Sequence, residues 1–144
     1  MKFLLTLIFV QSFLLLISSG EYTVKTCEDL FRYHYECGSE NNVPSDVWIR
    51  YLKQEFTDQN ALCHVKCLAN KFGIYSEENG FNFQNTLKQV AGAFDKPENQ
   101  INDILVDCQK VADEFKENSC LSVSQAFACL LRNNYGLVKP CSFQ

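Results

Sequence analysis

Eight cysteines, two histidines and a scatter of carboxylates are the side chains of this sequence best equipped for chemistry. The cysteines are Cys27, Cys37, Cys63, Cys67, Cys108, Cys120, Cys129 and Cys141. An even set in a short exported chain reads as four disulfides. The rival is zinc, which takes tight cysteine pairs, usually two of them. Only Cys63 and Cys67 lie that close, so no metal is expected. Hydrolytic chemistry is poorly served as well. A small helical phospholipase-like enzyme needs a His–Asp pair to activate water and a glycine-rich calcium loop. Here His34 and His64 are followed by Tyr35 and Val65, and the six glycines are dispersed. No GxSxG, HExxH or P-loop pattern occurs. The expectation is no enzymatic activity, no catalytic residue and no cofactor.

The histidines keep two readings each. His34 falls on the inner stripe of a helix, where a satisfied core histidine is the plain reading. A pH-responsive latch is the functional one, because imidazole changes charge near physiological pH. His64 sits beside a cysteine and reads as a partly exposed bystander.

The export route is written in the first twenty residues. Lys2 gives a basic start, Phe3 to Ile17 is apolar except for Thr6, Gln11 and Ser12, and Ser18, Ser19 and Gly20 are small. This is the pattern of a signal peptide over residues 1–20 cut after Gly20. A membrane anchor needs about 20 apolar residues, more than this run supplies, so no membrane insertion is expected. The remaining 124 residues, 21–144, make one domain. Loss of Lys2 moves the net charge from −4 to −5. No run of Lys or Arg exists to track a phosphate backbone, so no nucleic acid is expected. A domain of this size can stand on its core alone, and each bridge adds about 2–4 kcal/mol. Four bridges therefore suggest either a harsh extracellular setting or a hollow interior whose missing contacts are offset by cross-links.

Helices must position these groups. Every segment between turn signals has helical period and none alternates like a strand. Cys27, Leu30, Phe31, His34 and Cys37 follow Thr26, a good N-cap, and Gly38 ends that stretch. Pro44 suits the start of a second helix, with Val47, Trp48, Tyr51 and Leu52 on its apolar face. A third begins near Thr57 or Asp58 and carries Leu62, Val65, Ala69 and Phe72, ending at Gly73. After a polar loop from Ser76 to Gly80, Phe83, Leu87, Val90, Ala91 and Phe94 mark a fourth. Pro97 opens a fifth with Ile101, Ile104, Leu105, Cys108, Val111, Ala112 and Phe115. A sixth starts at Ser122 with a capping box to Gln125, buries Val123, Ala126, Phe127, Leu130 and Leu131, and stops at Gly136. The fold class expected is all-α, a compact bundle of about six helices. Leu137, Val138 and Phe143 are too apolar for a frayed end, so the tail is expected to fold back over the bundle.

Helix geometry removes some cysteine pairings. Cys27 and Cys37 would lie roughly 15 Å apart in one helix and Cys120 and Cys129 roughly 13 Å. A disulfide needs Cα atoms within about 7 Å. Cys63 and Cys67, one turn apart, face two different neighbours. Many of the remaining pairings stay open.

The spacing Cys37-x25-Cys63-x3-Cys67-x40-Cys108-x11-Cys120-x8-Cys129 resembles the six-cysteine pattern of insect odorant-binding proteins. The surrounding words agree: EYTVKTCEDLFRYHYEC, NVPSDV, CHVKCLANKFGIYSEENG and CLSVSQAFAC. The third of these is also similar to salivary binding domains of blood-feeding flies. The resemblance implies bridges Cys37–Cys67, Cys63–Cys120 and Cys108–Cys129. Cys27 and Cys141 fall outside the six and, with the others assigned, are left to join each other.

It also implies an apolar cavity. Nine Phe, six Tyr and Trp48 remain after the leader. They read either as ordinary core or as a cavity wall, and the resemblance favours the wall. Its lining is expected from Phe31, Trp48, Leu52, Phe72, Leu87, Phe94, Leu105, Phe127 and Leu131, with Arg32, His34, Arg50 and Tyr51 as polar candidates to orient a head group. The implied function is an extracellular carrier of an odorant, fatty acid or similar lipid. The alternative is a salivary scavenger of host amines or eicosanoids, with Glu28, Asp29 and Glu36 as the carboxylates available to an amine. A cystine-rich structural protein without a cavity is the third reading. The partners expected are a small hydrophobic ligand and, at most, a weak homodimer.

Overall fold

The computed structural model describes residues 20–44 and 59–141. Five helices are described: α1 (Cys27–Glu40), α2 (Gln59–Lys71), α3 (Phe83–Phe94), α4 (Glu98–Asp113) and α5 (Ser119–Arg132). The helix expected around Val47 to Leu52, with Trp48, Arg50 and Tyr51, lies outside the described residues. So does Phe143.

The architecture follows from which faces are apolar. α5 is built from small and apolar residues almost throughout, and it buries Cys120, Ser122, Val123, Ser124 and the run Ala126–Leu130. A helix so sparing of charge must be central. It packs against α2 on one side and α4 on the other, with α1 laid on α2 and α3 on α4. The core divides accordingly. One cluster holds Leu30, Val65, Leu68, Phe72, Ile74, Val123, Phe127 and Leu137. The other holds Leu87, Val90, Ile101, Leu105, Cys108 and Leu130.

The helix ends correct the sequence reading in three places. α1 runs through Gly38 to Glu40 because Asn41 caps it, its backbone N–H and side-chain amide both donating to the Cys37 carbonyl. Lys71 adds ion pairs to Glu36 and Glu40 at 3.0 Å each. α5 starts at Ser119, not Ser122. Asn118 is its N-cap, accepting from the Leu121 N–H at 3.1 Å. Ser122 instead turns inward to donate to the Ala112 carbonyl at 2.8 Å. α5 then ends at Arg132, where Asn133 donates to the last carbonyls and Asn134 turns left-handed at φ 63°, before Gly136 is reached. At the other end of the chain, Thr26 does form a capping box with Asp29. The backbone N–H of Thr26 holds the Asp29 carboxyl below its ordinary pKa.

The loop after α2 carries a feature absent from the helical reading. Tyr75–Ser76 (β1) and Gly80–Phe81 (β2) pair antiparallel, Tyr75 opposite Phe81. Gly80 takes φ +68° at the turn, a conformation open to glycine without a Cβ penalty. Ser76 Oγ accepts the Asn79 N–H at 3.1 Å, and the Tyr75 and Phe81 rings meet edge to face at 5.4 Å.

Four disulfides join Cys27 to Cys141, Cys37 to Cys67, Cys63 to Cys120 and Cys108 to Cys129. Three link helices in the order α1–α2–α5–α4. The fourth ties the start of α1 to the tail, with 5.9 Å between Cα atoms. Such cross-linking fits an extracellular protein. No described helix is long and apolar enough to cross a membrane.

Candidate functional site

An apolar slot lies on the seam between the two core clusters. Its walls are Ile74 from the turn after α2, Phe81 from the hairpin, Phe83 from the start of α3, Leu105 and Cys108 from α4, and Ala126, Phe127 and Leu130 from α5. Two polar side chains reach it, Thr86 and Gln109. Thr86 is spent locally, its hydroxyl donating to the Asn82 carbonyl at 2.8 Å. Gln109 donates its amide N–H to Asp113 at 2.9 Å, which leaves its oxygen for other donors. The free volume is about 20 Å³, room for little more than a water, whereas ligand sites run to about 300–1,000 Å³.

Of the side chains expected to line a cavity, Leu105 and Phe127 are on this wall. Leu87 is buried in the same cluster as Leu105, and Phe94 packs against that cluster, edge-on to Tyr135 at 5.1 Å. Phe72 is fully buried in the other cluster, its ring 5.5 Å from that of Tyr33. Leu131 is half-buried beside Gly136. Phe31, on α1, is 37 % exposed and is not among the residues that line this slot. Among the described helices α1 packs on α2, and its buried residues are Leu30 and Cys37. Arg32 points outward, paired to Asp29 at 2.6 Å with its guanidinium 5.0 Å from the Tyr33 ring. Trp48, Leu52, Arg50 and Tyr51 lie outside the described residues. Sequence periodicity missed Ile74 and Phe81, which sit in the turn after α2 and in the hairpin, and it placed Phe83 on the α3 stripe without assigning it to the wall.

The histidines pair with each other. His34 Nδ1 and His64 Nε2 are 2.8 Å apart and the rings stand edge to face. His64 is 1 % exposed, not the bystander its position suggested. α2 is covered on two sides, by α1 and α5, so its buried arc extends past the Leu62–Val65 stripe. Burial, and then the neighbouring His34, press the His64 pKa down to about 4, and burial lowers that of His34. Among the described residues no partner meets hydrogen-bond geometry at His64 Nδ1, and the nearby Cys37 backbone offsets only part of the downward shift.

A second buried polar centre is Gln89, 0 % exposed on α3. Its Oε1 accepts the Lys25 N–H at 2.7 Å and faces the Tyr22 hydroxyl at 2.9 Å. That hydroxyl shares its one hydrogen with the Phe72 carbonyl at 2.8 Å. Burial pushes the Tyr22 pKa above its ordinary value. Gln89 Nε2 donates to the Lys25 carbonyl at 3.0 Å and the Leu137 carbonyl at 2.6 Å. One amide thus holds the segment before α1 and the tail after α5. Leu137 is buried, and Lys139 pairs with Asp95 at the end of α3. The carboxylates weighed for an amine lie elsewhere. Asp29 is in its cap, Glu36 is paired to Lys71, and Glu28 is exposed.

Residues 19–133 match the PBP/GOBP family. The chain is 33 % identical to Odorant-binding protein 22 of Aedes aegypti over 135 residues, covering 92 % of this chain and 94 % of that one. It is 29 % identical to General odorant-binding protein 99a of Drosophila melanogaster over 124 residues, covering 85 % and 87 %. It is 26 % identical to General odorant-binding protein 99b of the same fly over 145 residues, covering 96 % and 97 %.

Proposed function

The chain belongs to the PBP/GOBP family, and from that premise we propose that it is an extracellular carrier, not a catalyst, for a small hydrophobic or amphipathic molecule: an odorant, a fatty acid or a similar lipid. The observation that carries the reading is the slot on the seam, walled by Ile74, Phe81, Phe83, Leu105, Phe127 and Leu130 with polar groups only at Thr86 and Gln109. Such a surface gains about 25 cal/mol for each Å² of ligand carbon it takes from water. Residues 1–20 export the chain, and the domain 21–144 does the carrying. The amine-scavenger alternative is less well supported, because no carboxylate is among the residues that line the slot.

The test is displacement of N-phenylnaphthylamine, a dye that fluoresces in apolar surroundings, from the refolded four-bridge protein. Long-chain fatty acids and apolar odorants are expected to displace it, and histamine or serotonin are not. A protein that never takes up the dye or any apolar ligand would refute the carrier reading and favour a structural role.

A further inference from the structure

The structure assigns Gln89 as the clamp that decides how fast the slot opens, through the one described helix that no disulfide holds. The inference rests on the carrier reading for its consequence, and on the geometry alone for its mechanics.

The bridges Cys37–Cys67, Cys63–Cys120 and Cys108–Cys129 make α1, α2, α5 and α4 one covalent frame. α3, with sequence FQNTLKQVAGAF, has no cysteine. It nonetheless supplies Phe83 and Thr86 to the slot. A free volume of about 20 Å³ admits no organic ligand, so a wall must move. Among the described helices that line the slot, α4 and α5 are cross-linked to each other and α3 is linked to neither.

α3 packs Leu87, Val90 and Ala91 into the cluster with Ile101 and Leu105, and a polar clamp on its other side ties it to the two ends of the domain. Gln89 satisfies four groups at once: the Lys25 N–H and carbonyl, the Tyr22 hydroxyl and the Leu137 carbonyl. Cys27–Cys141 joins the two segments that carry those groups. A turn further along α3, Gly92 lies under Val24 so closely that a Cβ there would stand 2.6 Å from Val24 Cγ2. The segment before α1 therefore lies directly on the α3 backbone, and Gln89 is the bolt through both. Gln89 is not among the residues that line the slot. It is a positioning residue, acting on the ligand through α3.

The test uses the full four-bridge protein. Gln89→Leu removes every hydrogen bond of the clamp. Gly92→Ala, at an exposed helical site whose backbone conformation suits alanine, lifts the segment through its clash with Val24. Stopped-flow fluorescence with N-phenylnaphthylamine is expected to show association and dissociation both about tenfold faster in either variant, roughly the effect of losing one or two net hydrogen bonds. The dissociation constant should barely change. Rates equal to those of the parent in both variants would overturn the assignment. If the parent takes up no dye, the carrier reading fails and hydrogen exchange decides the mechanics. Faster exchange of α3 amides with α5 unchanged upholds the clamp. Equal exchange in α3 of parent and variant overturns it.

Discussion

Replacing Cys27 and Cys141 together by serine isolates the bridge outside the six-cysteine set. On sequence separation alone, 114 residues, the chain-entropy expression gives about 4.8 kcal/mol. The other three bridges shorten that loop. In the unfolded, oxidised chain the path runs ten residues from Cys27 to Cys37, crosses to Cys67, and runs four back to Cys63. It then crosses to Cys120 and runs twenty-one on to Cys141, about 35 in all. The same expression then gives about 3.8 kcal/mol. The native state loses little, because Leu137 stays buried and Gln89 and Asp95 still hold the tail. Urea unfolding under non-reducing conditions is expected to show a loss of about 4 kcal/mol, with a steeper dependence on urea because the unfolded chain expands further. A loss below about 1 kcal/mol would refute the entropic account.

Three further outcomes follow from the packing. His64 is held neutral in the fold with its pKa depressed to about 4, below an unfolded value of about 6.5. The unfolded chain therefore binds the proton first, and stability falls as pH drops from 6.5 toward 4, by about 2 kcal/mol between pH 7 and 4.5. His64→Gln should flatten that slope in urea titrations, and an unchanged slope would place the acid sensitivity elsewhere. Gly92→Ala is expected to destabilise by about 1–3 kcal/mol through the clash with Val24. In a Val24→Ala background the same change should become neutral or stabilising by up to about 1 kcal/mol, since alanine is the better helix former; additive effects would mean the contact is not made. Phe127→Ala should cost about 3–5 kcal/mol in thermal or urea unfolding and weaken dye binding as well. Full retention of affinity would remove Phe127 from the ligand's surroundings.

The sequence made some of this legible and hid the rest for identifiable reasons. Cysteine spacing and the 3.6-residue period report on the helical frame directly, and α2, α3 and α4 carry the stripes read from them. A stripe alone says nothing about how many neighbours a helix has. Phe31 reads as inward by period, but α1 has one neighbour among the described helices. His64 reads as lateral, but α2 has two. Part of the slot's wall was hidden because Ile74 lies just before, and Phe81 within, a hairpin formed by glycine geometry and two-residue strands, too short to show alternation. Gln89 was hidden because a glutamine between Leu87 and Val90 has no pattern that announces four partners brought from both ends of the domain.

The proximity of Cys27 and Cys141 has a consequence for durability outside the cell. A bond between the two ends turns the domain into a closed ring. Any single cut in the backbone between residues 27 and 141, such as one in the exposed turn at Glu77 to Asn79, leaves two pieces that remain one molecule. A proteinase that nicks the ring once releases nothing, and the nicked form would be told from the intact one only after its thiols are freed.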